Sequence, residues 1–360
     1  MNTTLIQGLN EKILQAKVNA IDVRPFQFAS HFPLQRVNAF NWKTLTNKKF
    51  GHNVAADIAA DNASVGRKRR PIFQSASGDL PRLAIGREMR RSEIKDYQVA
   101  LALAGDIYAR ELVQYWADDV EYCFTGVQAE LEYIAWALLS NGGKLSFTPT
   151  NNAYMATEFD LDYDVDPAQL IKNSTSWATA ASADAIGDFR KAIEEGKKIG
   201  ASIRHAFMAL STFYKYVSTA QIIKACASYL DNATGIAQTP DITAVNAMLK
   251  KQAWLNGIQI HVIDTDVTRE LSDGTQVTGN PFAENVVVFS EVPVLGSTQY
   301  GLLKDSTQNV IRAERAHTVV KKYSEPEPLT EITIGEADAL PVLDTAYKNI
   351  YMNVAATSWS

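Results

Sequence analysis

The chain has 360 residues and a formal net charge of -5 at neutral pH, with 46% hydrophobic and 21% charged residues. At roughly 100–200 residues per domain that length holds one large or two modest cores, and the composition excludes the disordered and fibrous classes. The acidic balance argues against wholesale wrapping by nucleic acid, which needs a surplus of Lys and Arg on the binding face, and leaves room for a local basic patch.

The opening residues, MNTTLIQGLNEKILQAKVNAIDV, combine neither a basic start nor an unbroken apolar stretch. No signal peptide is expected, and no run approaches the ~20 apolar residues of a membrane span. They predict a short amphipathic helix through Leu5, Leu9, Ile13 and Val18, ahead of an aromatic, extended stretch, VRPFQFASHFPLQRVNAFNW, that reads as an arm. Residues 44–86 sustain no hydrophobic period and carry the basic run Arg67, Lys68, Arg69 and Arg70. Loops beyond about 12–15 residues are uncommon inside compact domains. The expectation is a long projecting hairpin that packs on a neighbouring subunit.

The strongest helical signal spans residues 93–140, where Val113, Trp116, Val120, Cys123, Val127, Leu131, Ile134 and Leu138 recur at steps of three and four. One helix is predicted, about 70 Å long at ~1.5 Å per residue, a spine for an extended molecule. Gly126 marks a bend in it, and Asn141, Gly142 and Gly143 stop it. Strands follow over 144–147 and 158–163, with TPTNN as turn material. Helices are then expected over 183–195, 202–214, 219–230 and 242–251. Strands are expected over 255–263 and 285–289, with an SDGT turn between them, and the tail from His317 holds three extended pieces that would add to sheet edges. The fold class is α+β.

Signatures of catalysis are missing. The sequence holds no GxxxxGK[ST], no GxGxxG after a strand, no HExxH, no CxxC and no GxSxG. His31, His52, His205, His261 and His317 are scattered, and Cys123 and Cys226 sit singly in helical patterns as core thiols. Asp160, Asp162, Asp164 and Asp166 alternate in DLDYDVD, which on a strand puts all four on one face. The segment lacks the Gly and Glu of an EF-hand, so a solvated face or subunit contact is the reading. Tyr115, Trp116, Tyr122, Phe124, Tyr133 and Trp136 read as packing along the spine rather than a base-stacking platform. No catalytic, cofactor-binding or metal-binding residue is assigned. The candidates that remain are basic: Arg67, Lys68, Arg69, Arg70, Arg87, Arg90 and Arg91, for intersubunit or DNA contact.

The order of parts, arm, long loop, long helix, hairpin, mixed α/β region and returning strands, resembles the Hong Kong 97-type capsid fold of tailed phages, and within it the lambda-type major capsid protein E family. The segments that carry the resemblance are VRPFQFASHFPLQRV, DDVEYCFTGVQAELEYIAWALLSNGGKLSF, NVVVFSEVPVLGSTQYGL and the ending VVKKYSEPEPLTEITIGEADALPVLDTAYKNIYMNVA. The resemblance implies an N-terminal arm and lead-in strand over 1–43, an extended loop over 44–92, and a peripheral domain with the spine helix over 93–164. It further implies a mixed α/β axial domain over 165–308 and returning strands over 309–360. It implies a head protein, not an enzyme and without cofactors, whose hexamers and pentamers form an icosahedral shell in the host cytoplasm. The implied partners are further copies of the chain, scaffold, portal and decoration proteins, and double-stranded DNA held non-specifically on the inner face, with no membrane. Competing readings are an encapsulin-like compartment, a soluble α/β enzyme recruiting Lys197, Lys198, His205 and His261, and a monomeric binding module.

Overall fold

The computed structural model describes residues 4–6, 9–23, 25–47, 73–103, 106–149, 151–152, 159–229, 239–271, 273–303 and 309–359. The elements, in chain order, begin with helices α1 (Glu11–Ala20) and α2 (Phe28–His31), strands β1 (Leu34–Arg36), β2 (Asn41–Asn47), β3 (Phe73–Asp79) and β4 (Arg82–Met89), and helices α3 (Arg91–Leu103) and α4 (Asp106–Ser140). Next come β5 (Lys144–Phe147), β6 (Phe159–Asp162), β7 (Leu170–Lys172), α5 (Ala185–Lys198), β8 (His205–Ala209), α6 (Leu210–Val217), α7 (Ala220–Tyr229) and α8 (Ile242–Lys251). The chain closes with β9 (Gln259–Ile263), β10 (Val267–Glu270), β11 (Gln276–Gly279), β12 (Val286–Ser290), β13 (Gly296–Gly301), β14 (Ile311–Arg315), β15 (Thr318–Pro326), β16 (Leu329–Leu343) and β17 (Ile350–Asn353).

Two compact units divide the chain: Met1–Trp42, Gly78–Tyr133 and Thr298–Val342 form the first, and Lys43–Ser77, Ile134–Ser297 and Leu343–Ser360 the second. In the first, a six-stranded sheet has the order β1-β13-β16-β15-β14, with β4 also paired to β16. Its central strand alternates buried and half-buried residues from Glu331 to Ala339, the period-2 pattern of a sheet with one packed face. Helix α4 lies on that face so closely that Gly335 of β16 has no room for a side chain: a Cβ there would stand 2.1 Å from the carbonyl oxygen of Cys123. The Cys123 thiol donates to the carbonyl of Thr333 at 3.4 Å, and burial raises its pKa to about 11, which keeps it an inert thiol. Helix α1 is N-capped by Asn10, whose side chain accepts from the Ile13 N–H. It buries Leu14 and Val18 against Val120, Phe124, Ile311, Ala313 and Val320.

In the second unit a five-stranded sheet runs β7-β17-β12-β8-β9. Strand β12 is antiparallel to β8 and β17, whereas β8 with β9 and β17 with β7 are parallel. Alternate residues of four strands, Ala206 and Met208, Ile260, Val287 and Phe289, and Ile350 and Met352, join the core that α5 to α8 cover. Phe189 stacks on Tyr216 with ring centroids 4.9 Å apart and meets Phe289 edge-on at 5.1 Å. Helices α5 and α8 are set by their sequence ends. Asp184 and Asp241 cap them by accepting from the Gly187 and Ala244 N–H groups at 3.0 and 2.8 Å, and Lys197, Lys198, Lys250 and Lys251 fill their last turns.

Several expectations change. The spine is described as two helices, α3 and α4, and α4 runs unbroken through Gly126. The glycine is there because Ile85 presses on it: a Cβ would meet Ile85 Cδ1 at 2.8 Å. Of the stripe, Val120, Cys123, Val127, Leu131, Ile134 and Leu138 are buried, as are Phe124 and Trp136. The side chains of Val113, Tyr115 and Trp116 lie outside the described residues. The stop is as expected, with Gly142 and Gly143 at φ +66 and +79 and the Gly143 N–H donating to Leu138 O at 3.0 Å, a Schellman closure.

The helix expected over 202–214 is instead β8 followed by α6. Its apolar run AFMAL is buried on both faces between β9 and β12, and such a run carries no period that separates strand from helix. The tail does not stop at sheet edges: β16 and β15 lie inside the first sheet and β17 inside the second. In the N-terminal helix Ile13 is exposed and Leu14 takes the buried position. The four aspartates do not share a strand face, because β6 ends at Asp162. Asp160 accepts from the Ser146 hydroxyl and Asp162 pairs with Lys144 at 3.1 Å across the β5–β6 ladder. Asp164 turns at φ +48 and Asp166 accepts from Ala168 N–H at 2.9 Å.

Candidate assembly surfaces

The basic candidates divide. Arg67, Lys68, Arg69 and Arg70 lie outside the described residues. Arg87 of β4 bonds Asp119 of α4 at 3.3 Å, and its guanidinium sits 3.5 Å above the Tyr122 ring, so its charge is already engaged within the unit. Arg90 bonds Glu88 at 2.9 Å, and its N–H donates to Glu93 at 2.8 Å, half of a capping box at the start of α3. Arg91, the first residue of α3, is exposed.

Buried polar groups that local patterns did not reveal anchor the N-terminal segment. Glu132 of α4, with 0% exposure, accepts the backbone N–H groups of Gln27 and Phe28 at 3.2 and 2.8 Å. It thereby caps α2, whose own N-cap side chain makes no such bond. Buried Glu331 accepts from Leu5 N–H at 3.0 Å and from the Thr4 hydroxyl. Arg315 donates to the carbonyls of Val18 and Ile21 at the end of α1, at 3.0 and 2.6 Å. Phe28 and Phe32 are buried. The aromatic stretch read as an arm buries these two rings within the first unit. Glu132→Ala is expected to cost about 3 kcal/mol in urea unfolding, two hydrogen bonds to a buried charged acceptor. Hydrogen exchange should show Gln27 and Phe28 losing protection first.

Sheet edges decide which surfaces can accept another strand. At β14 the Gln15 amide closes the edge, donating to Glu314 O at 2.8 Å and accepting from Glu314 N–H at 3.0 Å. At β9 Asn246 does the same, accepting from Ile260 N–H at 2.8 Å and donating to its carbonyl at 3.1 Å. At β7 the Trp359 indole donates to Ile171 O at 2.8 Å, and Lys191 to Lys172 O at 2.7 Å. Among the described residues no side chain closes β1 in this way: Leu34, Gln35 and Arg36 are all exposed. No helix among the described residues is long and apolar enough to cross a membrane.

No protein-family model and no curated protein matches the sequence. Solved structures do match. One, described as a prophage capsid protein of Escherichia coli CFT073, has a TM-score of 0.56 at 14% identity, covering 96% of this chain and 99% of that one. A phage-related protein of Bordetella bronchiseptica RB50 has a TM-score of 0.50 at 14% identity, covering 97% and 98%. At this identity the likeness concerns the course of the backbone, and it extends over nearly the whole of each chain. The mixed α and β fold, with its long helix α4 and returning C-terminal strands, is the Hong Kong 97-type capsid fold.

Proposed function

We propose that this chain is a major capsid protein of the tailed-phage type, whose copies assemble as hexamers and pentamers into an icosahedral shell. The observation that carries the reading is the fold, matched end to end by a protein described as a prophage capsid protein. A fold hosts unrelated functions in general, but here the molecule's own features support shell building. Buried carboxylates fix the N-terminal segment, and the side-chain amides of Gln15 and Asn246 bond the outer backbone of two edge strands. Scaffold, portal and decoration proteins, and packaged DNA contacted non-specifically, are part of the same proposal, as is assembly in the host cytoplasm. Arg67, Lys68, Arg69 and Arg70 remain the residues proposed for a neighbouring subunit or DNA.

Negative-stain electron microscopy of the overexpressed protein, paired with size-exclusion chromatography, tests it. Closed shells, tubes or discrete hexamers and pentamers are expected. A sharp monomer at every concentration, also with scaffold supplied, would refute it. Deleting residues 63–75 should abolish shells while leaving a folded subunit; normal particles from that deletion would remove the loop's role.

A further inference from the structure

The two faces of strands β8 and β9 carry different chemistry. Ala206, Met208 and Ile260 belong to the helix-covered core, and alternation along a strand sends His205, Phe207 and His261 to the other face. The strands are parallel, with His205 level with Gln259 and Phe207 level with His261. Two histidines 56 positions apart in sequence thus stand on a diagonal between neighbouring strands, and their rings meet. His205 Nδ1 lies 3.0 Å from His261 Nε2, with ring centroids 5.2 Å apart. Phe207, fully buried, stacks on the His261 ring at 4.8 Å and 15° and fixes its plane. Both imidazoles are half-buried, so solvent reaches the pair.

Between the rings runs a hydrogen bond, one nitrogen donating and the other accepting. The same two atoms have a second use. Imidazole is the commonest protein ligand for metals and suits divalent first-row ions, and two ligands of one ion must stand a set distance apart. Metal–nitrogen bonds of ~2.0–2.1 Å that meet at a right angle separate their nitrogens by about 2.9 Å, whereas the tetrahedral angle needs about 3.3 Å. The 3.0 Å separation in this pair matches the right angle. Square-planar or tetragonal coordination is the preference of Cu2+ and Ni2+, and Cu2+ is also the strongest divalent binder at such donors.

We propose that His205 and His261 form a two-imidazole site for a divalent first-row ion of tetragonal preference, Cu2+ or Ni2+, which clamps β9 to β8. The site stands apart from the capsid reading, since both ligands belong to one copy. The ion takes the place of the shared proton. That proton passes through solvent to the far nitrogen of its own ring, and both near nitrogens then present lone pairs. The lone pairs must converge beside the line that joins them, so one ring pivots; the pivot falls to His205, the first residue of β8, because Phe207 holds the His261 plane. Among the described residues no group of three or more His, Cys, Asp or Glu is placed to hold an ion. Water therefore fills the remaining positions, and a chelator strips the ion readily.

Ni2+ titration of the full chain by calorimetry, beside His205→Gln and His261→Gln, tests the site. One Ni2+ per chain is expected, with at least a tenfold loss of affinity in either variant, since each removes one of two ligands. Zn2+ should bind more weakly than Ni2+. Ni2+ should raise the wild-type melting temperature and leave that of both variants unchanged, with EDTA reversing the rise. The Cu2+ complex of the wild-type protein gives a readout that needs no variant: its electron paramagnetic resonance spectrum should carry hyperfine coupling from two nitrogens. Ni2+ affinity unchanged in either variant would assign binding to other residues and overturn the site, as would a Cu2+ spectrum without two nitrogen couplings. Zn2+ binding tighter than Ni2+ would overturn the right-angle geometry. None of these results bears on shell assembly, which microscopy reads separately.

Discussion

Gly335→Ala is expected to destabilise the protein by about 3 kcal/mol or more, the largest single-residue effect in the first unit. The added Cβ would stand 2.1 Å from the carbonyl oxygen of Cys123, 2.6 Å from its carbonyl carbon and 3.2 Å from its Cβ. These are mostly backbone atoms inside α4, so no rotamer change relieves them. The helix must retreat by about 1 Å, and interiors packed at crystal-like density lose dispersion contacts along the whole stripe when that happens. Val120, Phe124 and Val127 would all feel it, since they lie in the same buried helix. Alanine's smaller loss of backbone freedom offsets less than about 1 kcal/mol. Gly86→Ala is the internal control: its Cβ would meet Thr333 O at 3.5 Å and Ile334 at 3.6 Å, ordinary contact, and near-neutral behaviour is expected. Urea unfolding of the two variants beside wild type decides it. A Gly335→Ala loss under about 1 kcal/mol would mean that the strand and helix can part without cost.

The second large effect is a pH dependence centred on His317. The imidazole is buried, with Gln128 Nε2 3.0 Å from its Nε2 and no partner for Nδ1. Burial pushes its pKa down from 6.5 to about 4, because the charged form would lose its hydration. The sign follows from proton counting. Between pH 6.5 and 4 the unfolded chain binds a proton that the folded chain refuses, so stability is fully present above 6.5 and falls as the pH drops toward 4. The difference in pKa corresponds to about 3 kcal/mol. Two carboxylates run the other way: buried Asp188 and partly desolvated Asp344 have raised pKa values and favour the folded state on acidification. The clean observable is therefore the difference between wild type and His317→Gln. That difference should shift by about 3 kcal/mol in favour of the variant from pH 7 to pH 4. Parallel pH profiles would show that the ring is hydrated.

Lys322 of β15 is a buried cation near His317 in sequence, donating to Thr333 Oγ1 at 2.7 Å, with its pKa lowered by burial and partly restored by Glu331.

What the sequence determined by itself is what neighbouring residues encode. The three-four stripe of α4, its glycine stop, the aspartate-capped helix Ile242–Lys251 and the β-branched strand Val286–Ser290 were all legible because period and caps act within a few residues. The resemblance to the capsid fold rested on the order of such parts. Tertiary structure decided the rest. Whether AFMAL is strand or helix depends on β9 and β12 lying on either side of it, which no local period records. The central place of β16, the carboxylate of Glu331 meeting Thr4 across 327 positions, and the burial of Glu132 and His317 arise from pairings distant in sequence. Local propensity fixes elements; desolvation and pairing between remote residues fix which faces are buried.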